Sequence, residues 1–341
     1  MGRHNKEYAR DMHQQAYDKL TGMQAFGDSK KDDMIYDRAH DTDIVSGKIY
    51  SYSTYKTYWK HIKYFVKWVQ ERYPACKTLK KAEKYVPEFL QTRVDAGMSA
   101  WTVQTEAAAL NKLYGIKVDD QKRFQPPQRR KEDIVRSRGA KVRDRHFSEK
   151  KNEELINFCK GCGFRRNVLE KLKGGDLYDR NRVEAALEEA RLEGDQPMIR
   201  ACTDALKTFP DKKYFILHRK DKGGKTRISP IVGPNTEKIV ERMMNTAPDE
   251  LVWRYVSSNC DVHGYRADYA TYLYKEYARP IENLRYKNKI KCSDGRYRSE
   301  IYMCRGDEKG KRLDRRAIGV ISIALGHNRE DTAISNYIRN L

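Results

Sequence analysis

The sequence predicts a mainly α-helical protein with a small β-sheet, an α+β chain of two domains joined by a basic linker. Three observations lead there. Apolar residues recur at helical spacing over most of the chain, two short apolar runs flank a Gly-Gly turn as in a β-hairpin, and a Pro-broken basic stretch interrupts the pattern near residue 126. A length of 341 residues suits two domains better than one.

Residues 1–44 are polar and read as an arm with one short helix. Residues 45–118 read as a helical domain. Ser53 is placed to cap a helix carrying Tyr58, Ile62, Phe65, Val66 and Val69. Val86, Phe89, Leu90 and Val94 mark a second helix. Ser99 opens a third, with Val103, Ala107, Leu110 and Leu113, and Gly115 stops it. Residues 119–144 form the linker, where Pro126 and Pro127 precede Arg129, Arg130 and Lys131. Proline and charge repulsion keep such a segment extended, either solvated or lying along phosphates.

Residues 145–341 form the second domain, helical with a small sheet. Ser148 is placed to cap a helix through Leu155 and Phe158, and a hairpin turns at Asp221-Lys222-Gly223-Gly224. Helices follow at 235–245, 263–278 and 314–325, and a last one carries Tyr337.

Lys and Arg number 69 against 48 Asp and Glu, for a net charge of +21. Such an excess repels itself in a compact chain and points to a polyanionic partner. No apolar run is long enough for a membrane span, and the polar opening does not read as a signal peptide. Lys6 stands where a myristoylation motif needs Ser or Thr. The seven cysteines are scattered, as suits free thiols in a reducing cytoplasm. Cys159 and Cys162 have the spacing of half a zinc site with no second half, so no metal or other cofactor is expected.

Cutting a phosphodiester needs a nucleophile, cations on the non-bridging oxygens and an acid for the leaving oxygen. The candidate groups are Arg, Lys, His and Tyr, with no convincing carboxylate cluster for magnesium. Arg165 follows a glycine break at a helix start, where its fork can meet a phosphate. Lys222 lies on the hairpin turn, with Lys225 and Arg227 as competitors. His263 and Arg266, three apart on a helix, share a face. His327 follows Gly326 at the end of an apolar helix, and Tyr337 comes ten residues later. Each alone is compatible with a surface or core role.

Their order is what carries meaning. The series Arg165, Lys222, His263-x-x-Arg266, Leu325-Gly326-His327 and Tyr337 resembles the tyrosine recombinases, the integrase family of phages and mobile elements. Tyr297 and Tyr302 are rivals for the nucleophile, but neither follows the Leu-Gly-His element. Residues 49–115 resemble the family's helical, SAM-like core-binding domain, with Trp101 and Thr102 opening its last helix. Three departures stand out. Val168 takes the place of a frequent Glu, and the stretches 174–210 and 280–313 are longer than usual, the second basic and suited to an extra hairpin (288–292 with 298–303).

The resemblance implies a tyrosine-recombinase catalytic fold behind that domain, and a site-specific recombinase for integration or excision of a mobile element. Tyr337 would attack the scissile phosphorus and form a 3′-phosphotyrosyl link. Arg165 and Arg266 would hold the non-bridging oxygens. Lys222 would protonate the 5′-oxygen, with His263 and His327 around the nucleophile. Trp101, Thr102, Arg129, Arg130, Lys131, Lys225 and Arg227 would contact DNA. Partners would be double-stranded DNA with specific sites, three further copies in a homotetramer, and DNA-bending accessory proteins, in a bacterial nucleoid. Type IB topoisomerase-like relaxation and an inactive DNA-binding protein remain as alternatives.

Overall fold

The computed structural model describes residues 11–130, 147–221, 224–292, 295–305, 308–327, 332–334 and 337–338. The chain divides into two compact units, 1–129 and 130–341.

The first unit is helical. Helices α1 (Met12–Thr21), α2 (Lys30–His40), α3 (Tyr52–Arg72), α4 (Val86–Asp95) and α5 (Ala100–Tyr114) are its main elements. The expected arm is corrected here. Met12, Ala16 and Leu20 of α1 are buried in the same core as Ile62, Phe65, Leu90 and Leu110. The cap of α3 is also corrected: Ser51, not Ser53, accepts a hydrogen bond from the Thr54 N–H. Ser99 caps α5 as expected, and Gly115 ends it in a left-handed conformation. Inside the unit, the buried Glu106 carboxylate accepts from Arg93 (Nη2, 3.0 Å) and pairs with His61 (3.3 Å). The start of the linker lies along this unit, with Gln104 donating to the Pro127 carbonyl (2.9 Å).

The second unit holds helices α6 (Glu153–Cys162), α7 (Arg166–Leu169), α8 (Arg180–Glu193), α9 (Gln196–Thr208), α10 (Thr236–Met244), α11 (Val262–Tyr277) and α12 (Arg315–Ala324). The long stretch after Gly174 is thus mainly a helical pair, α8 and α9. Ser148 does not cap α6: it accepts from the Lys151 N–H (3.4 Å) in the 3-10 turn ahead of that helix. An antiparallel sheet orders β1 (Leu177–Asp179), β2 (Tyr214–Asp221) and β3 (Lys225–Pro230).

Strand β2 is buried on both faces. Phe215 and Leu217 join the core with α8, α9, α11 and α12, whereas Ile216 joins the core with α6 and α10. Successive strand side chains point to opposite faces, so one apolar strand seals two cores. The basic insertion forms two hairpins rather than one. Strand β4 (Lys289–Lys291) pairs with β5 (Tyr297–Ser299), and β6 (Ile301–Met303) pairs with β7 (Arg312–Asp314).

Gly163 ends α6 at φ +62°, and a Cβ there would stand 2.3 Å from the Tyr269 ring. Gly163→Ala therefore meets both backbone strain and a steric clash. It is expected to destabilise the second unit by roughly 2–4 kcal/mol, read as a lower urea midpoint. An unchanged midpoint would refute that packing.

Candidate active site

The site is built around the end of α6, the β2–β3 hairpin, the start of α11 and the end of α12. Arg165 follows Gly163-Phe164 in extended conformation, just before α7. Its Nη1 pairs with Asp221 at 2.5 Å. Asp221 is 2% exposed and also accepts from Arg227 Nε at 3.0 Å. A bulge between His218 and Asp221, with Lys220 at φ +46°, interrupts the strand just before this carboxylate. Bulges re-aim side chains in this way.

Arg266 is fully buried on α11. It donates to the carbonyls of Gly163 and of Leu325 (Nη2, 2.6 Å), so it ties the end of α6 to the end of α12. Arg165, Arg227 and Arg266 thus lie in one buried cluster whose carboxylate is Asp221. Burial first, then Arg227 and Arg165, push the Arg266 guanidinium down to about 9. Arginine keeps its proton in proteins. The direction therefore records burial first and neighbouring like charge second, the part that an anion would relieve.

Tyr337 is 4% exposed and its ring packs in the larger core. The Arg266 guanidinium carbon stands 5.3 Å from its centroid. The His263 ring meets it edge-on at 5.5 Å and the His327 ring at 5.3 Å. Five of the six residues expected from the sequence therefore gather in one place. Arg165 joins through Asp221 and Arg227, the latter sharing the Gly163 carbonyl with Arg266 (Nη2, 3.5 Å). Lys222 lies outside the described residues, between Asp221 and Gly224, which are joined by a backbone hydrogen bond (2.8 Å). Lys225 is exposed at the start of β3. Burial, then Arg200 and Arg165, lower its amine.

His327 sits just past α12, after Gly326 at φ +66°. Its Nε2 is buried and has no hydrogen-bond partner among the described residues, as is true of Arg266 Nε. Burial first, then Arg266, Arg165 and Arg227, push the His327 imidazole down to about 3. A histidine whose folded pKa lies below its unfolded value stabilises the fold above about pH 6.5 and loses that contribution as pH falls toward 3. Stability is thus expected to drop through this window, by up to about 1.4 kcal/mol per pH unit for each such histidine. His327→Gln should flatten the slope in urea titrations between pH 6.5 and 4. An unchanged slope would contradict the assignment.

Arg227 does not fit its expected DNA contact. It is 6% exposed, and its nitrogens meet Asp221, the Ala324 carbonyl, the Gly163 carbonyl and His218 Nδ1 (2.9 Å). It is a scaffold for Arg165 rather than a surface cation. Arg129 and Trp101 do come together, with the guanidinium carbon 5.9 Å from the indole, and Arg130 is exposed. Trp101 and Thr102 also line a cleft of about 640 Å³ in the first unit. Lys131 lies outside the described residues.

Sequence reasoning missed Asp221 and His218. His218 is fully buried and bonds Ser229 Oγ through Nε2 (2.7 Å). No sequence signal marked them: β2 and β3 carry other polar residues, and the pairing of His218 with Arg227 across the hairpin exists only in the fold.

Residues 41–121 match the family model described as phage integrase, N-terminal SAM-like domain. No curated protein matches the sequence. Among solved structures, the crystal structure of XerA recombinase is similar at 14% identity, covering 95% of this chain and 94% of that one, with a TM-score of 0.26. An integrase-type domain thus matches residues 41–121 of the chain, and the ordered Arg, His-x-x-Arg, His and Tyr residues of the second unit gather around one phenol.

Proposed function

We propose that this protein cuts and rejoins DNA at specific sites through a covalent 3′-phosphotyrosyl bond at Tyr337. The observation that carries the reading is the Tyr337 ring, bounded by His263, Arg266 and His327 within 5.3–5.5 Å. A phenol is a weak nucleophile at neutral pH, and adjacent cations and imidazoles activate it.

In this mechanism Arg266 and Arg165 bind the non-bridging oxygens of the scissile phosphate, where charge builds in the transition state. Asp221 and Arg227 hold Arg165 in place. The Arg266 Nε and His327 Nε2 atoms, buried without protein partners among the described residues, would gain one in a phosphate oxygen. His263 moves a proton at the phenol. Lys222 protonates the departing 5′-oxygen, with Lys225 its nearest competitor. The phosphotyrosyl bond conserves the energy of the broken ester, so rejoining is reversal by a 5′-hydroxyl, and the chemistry calls for neither ATP nor a metal. Exchange between two duplexes requires four copies. Integration or excision of a mobile element is the role this chemistry serves best.

Two measurements test the reading. A nicked suicide substrate, whose short 5′ strand is lost after cleavage, should trap a protein–DNA adduct. Failure to trap one on any site-bearing DNA would leave only a non-enzymatic DNA-binding role. Binding should also fall by roughly 10³-fold or more between 50 and 200 mM salt, because Lys and Arg displace counterions from phosphates. Salt-independent binding would contradict a DNA partner.

A further inference from the structure

Residues 280–313 have no part in the catalytic geometry, yet they form a built cleft of about 760 Å³ between the two small hairpins. Among the described residues its lining contains Lys289, Arg298, Arg305, Lys309 and Arg315, and no carboxylate. Two acids beside it, Glu300 and Asp314, are engaged on the scaffold side. Glu300, 5% exposed, accepts from the Arg285 N–H (2.7 Å), Asn288 Nδ2 (2.9 Å) and Arg279 Nη1 (3.1 Å). Asp314, fully buried, takes Arg279 in a bidentate pair (2.9 and 3.0 Å). Arg279 thereby links the β5–β6 junction to the end of β7. Arg315 donates through its Nε to the Ser299 carbonyl (2.5 Å), which fixes β5 against the start of α12. The walls are therefore positioned by buried ion pairs, and Lys289 and Lys309 line the opening.

Three tyrosines share that opening. Tyr286 is 64% and Tyr297 69% exposed, and Tyr302 lies under the Arg315 guanidinium at 5.0 Å. Lys289 stands 5.6 Å over the Tyr286 ring. Exposed aromatic faces interleaved with cations are the chemistry of single-stranded nucleic acid sites: rings stack on bases while cations follow the phosphates. A duplex would use the cations but hide its base faces from the rings.

We infer that the cleft between the β4–β5 and β6–β7 hairpins binds an unpaired DNA strand. This rests on the recombinase reading for its source, since strand cleavage is what frees such a strand near the protein. The test is fluorescence anisotropy with the full chain, using a labelled 12-nucleotide single strand and a site-free hairpin duplex. Tyr286→Ala/Tyr297→Ala removes two exposed rings and leaves the ion pairs intact. Single-strand affinity should fall about ten-fold or more, because each stacked base is lost at a large cost. Duplex affinity should change by less than about two-fold, its phosphate contacts being untouched. Lys289→Gln/Lys309→Gln should weaken single-strand binding and reduce its salt slope by about two counterions. Unchanged single-strand affinity in the tyrosine variant, or an equal loss on duplex, would overturn the inference. Trapping on a suicide substrate, run in parallel, keeps the two readings apart. A chain that forms no adduct but shows the single-strand effect retains the cleft and loses the recombinase. A chain that forms an adduct without the effect does the reverse.

Discussion

Tyr337→Phe is expected to bind target DNA normally and to form no covalent adduct, with strand cleavage reduced by at least about 10³-fold. The substitution removes one oxygen and keeps the ring. The contacts that seat the ring, with Arg266, His263 and His327 around it, involve the aromatic face and edge and survive the change. Folding and binding are thus separated from chemistry. Adduct bands on a denaturing gel, beside a binding titration, give the two readouts. A normal adduct from this variant would remove Tyr337 from the mechanism.

Arg266→Lys is expected to cost nearly as much in rate and more in stability. Arginine reaches the Gly163 and Leu325 carbonyls at once, with two forked nitrogens, and still faces Tyr337. A lysine ammonium is a single point and cannot bridge two carbonyls and a phosphate together. One carbonyl is left buried and unpaired, at about 1–3 kcal/mol. Loss of one donor to the transition state lowers cleavage by roughly 10²–10³-fold. The rate of adduct formation should therefore fall further than DNA affinity does. Equal losses in affinity and rate would mean that Arg266 serves binding alone.

How much of this was legible in the sequence depends on which physical signal each residue leaves. Helices α4, α5 and α11 follow from apolar spacing and a glycine or capping residue at one end, because helical burial writes itself at intervals of three and four. The burial of helix α1 escaped because only Met12, Ala16 and Leu20 face inward, and the polar residues between them mask a narrow stripe. The candidate catalytic residues could be proposed because their order along the chain is itself a signal. Asp221 could not: what makes it matter is a bulge that buries one carboxylate between two arginines, and a bulge has no residue code of its own. Arg227 was misread for the same reason, since a basic residue in a hairpin gives no sign of whether its strand face is inside. The insertion shows a third case. Its basic character is plain in composition, but the engagement of Glu300 and Asp314 away from the cleft exists only once Arg279 has drawn them together.

The most direct measurement identifies the amino acid that becomes attached to DNA. After trapping on a suicide substrate and nuclease trimming, the peptide carrying the residual nucleotide can be sequenced by mass spectrometry. The phenol bounded by two imidazoles and a buried guanidinium predicts attachment at Tyr337. Attachment at Tyr297 or Tyr302, in the hairpin insertion, would contradict the account at its centre.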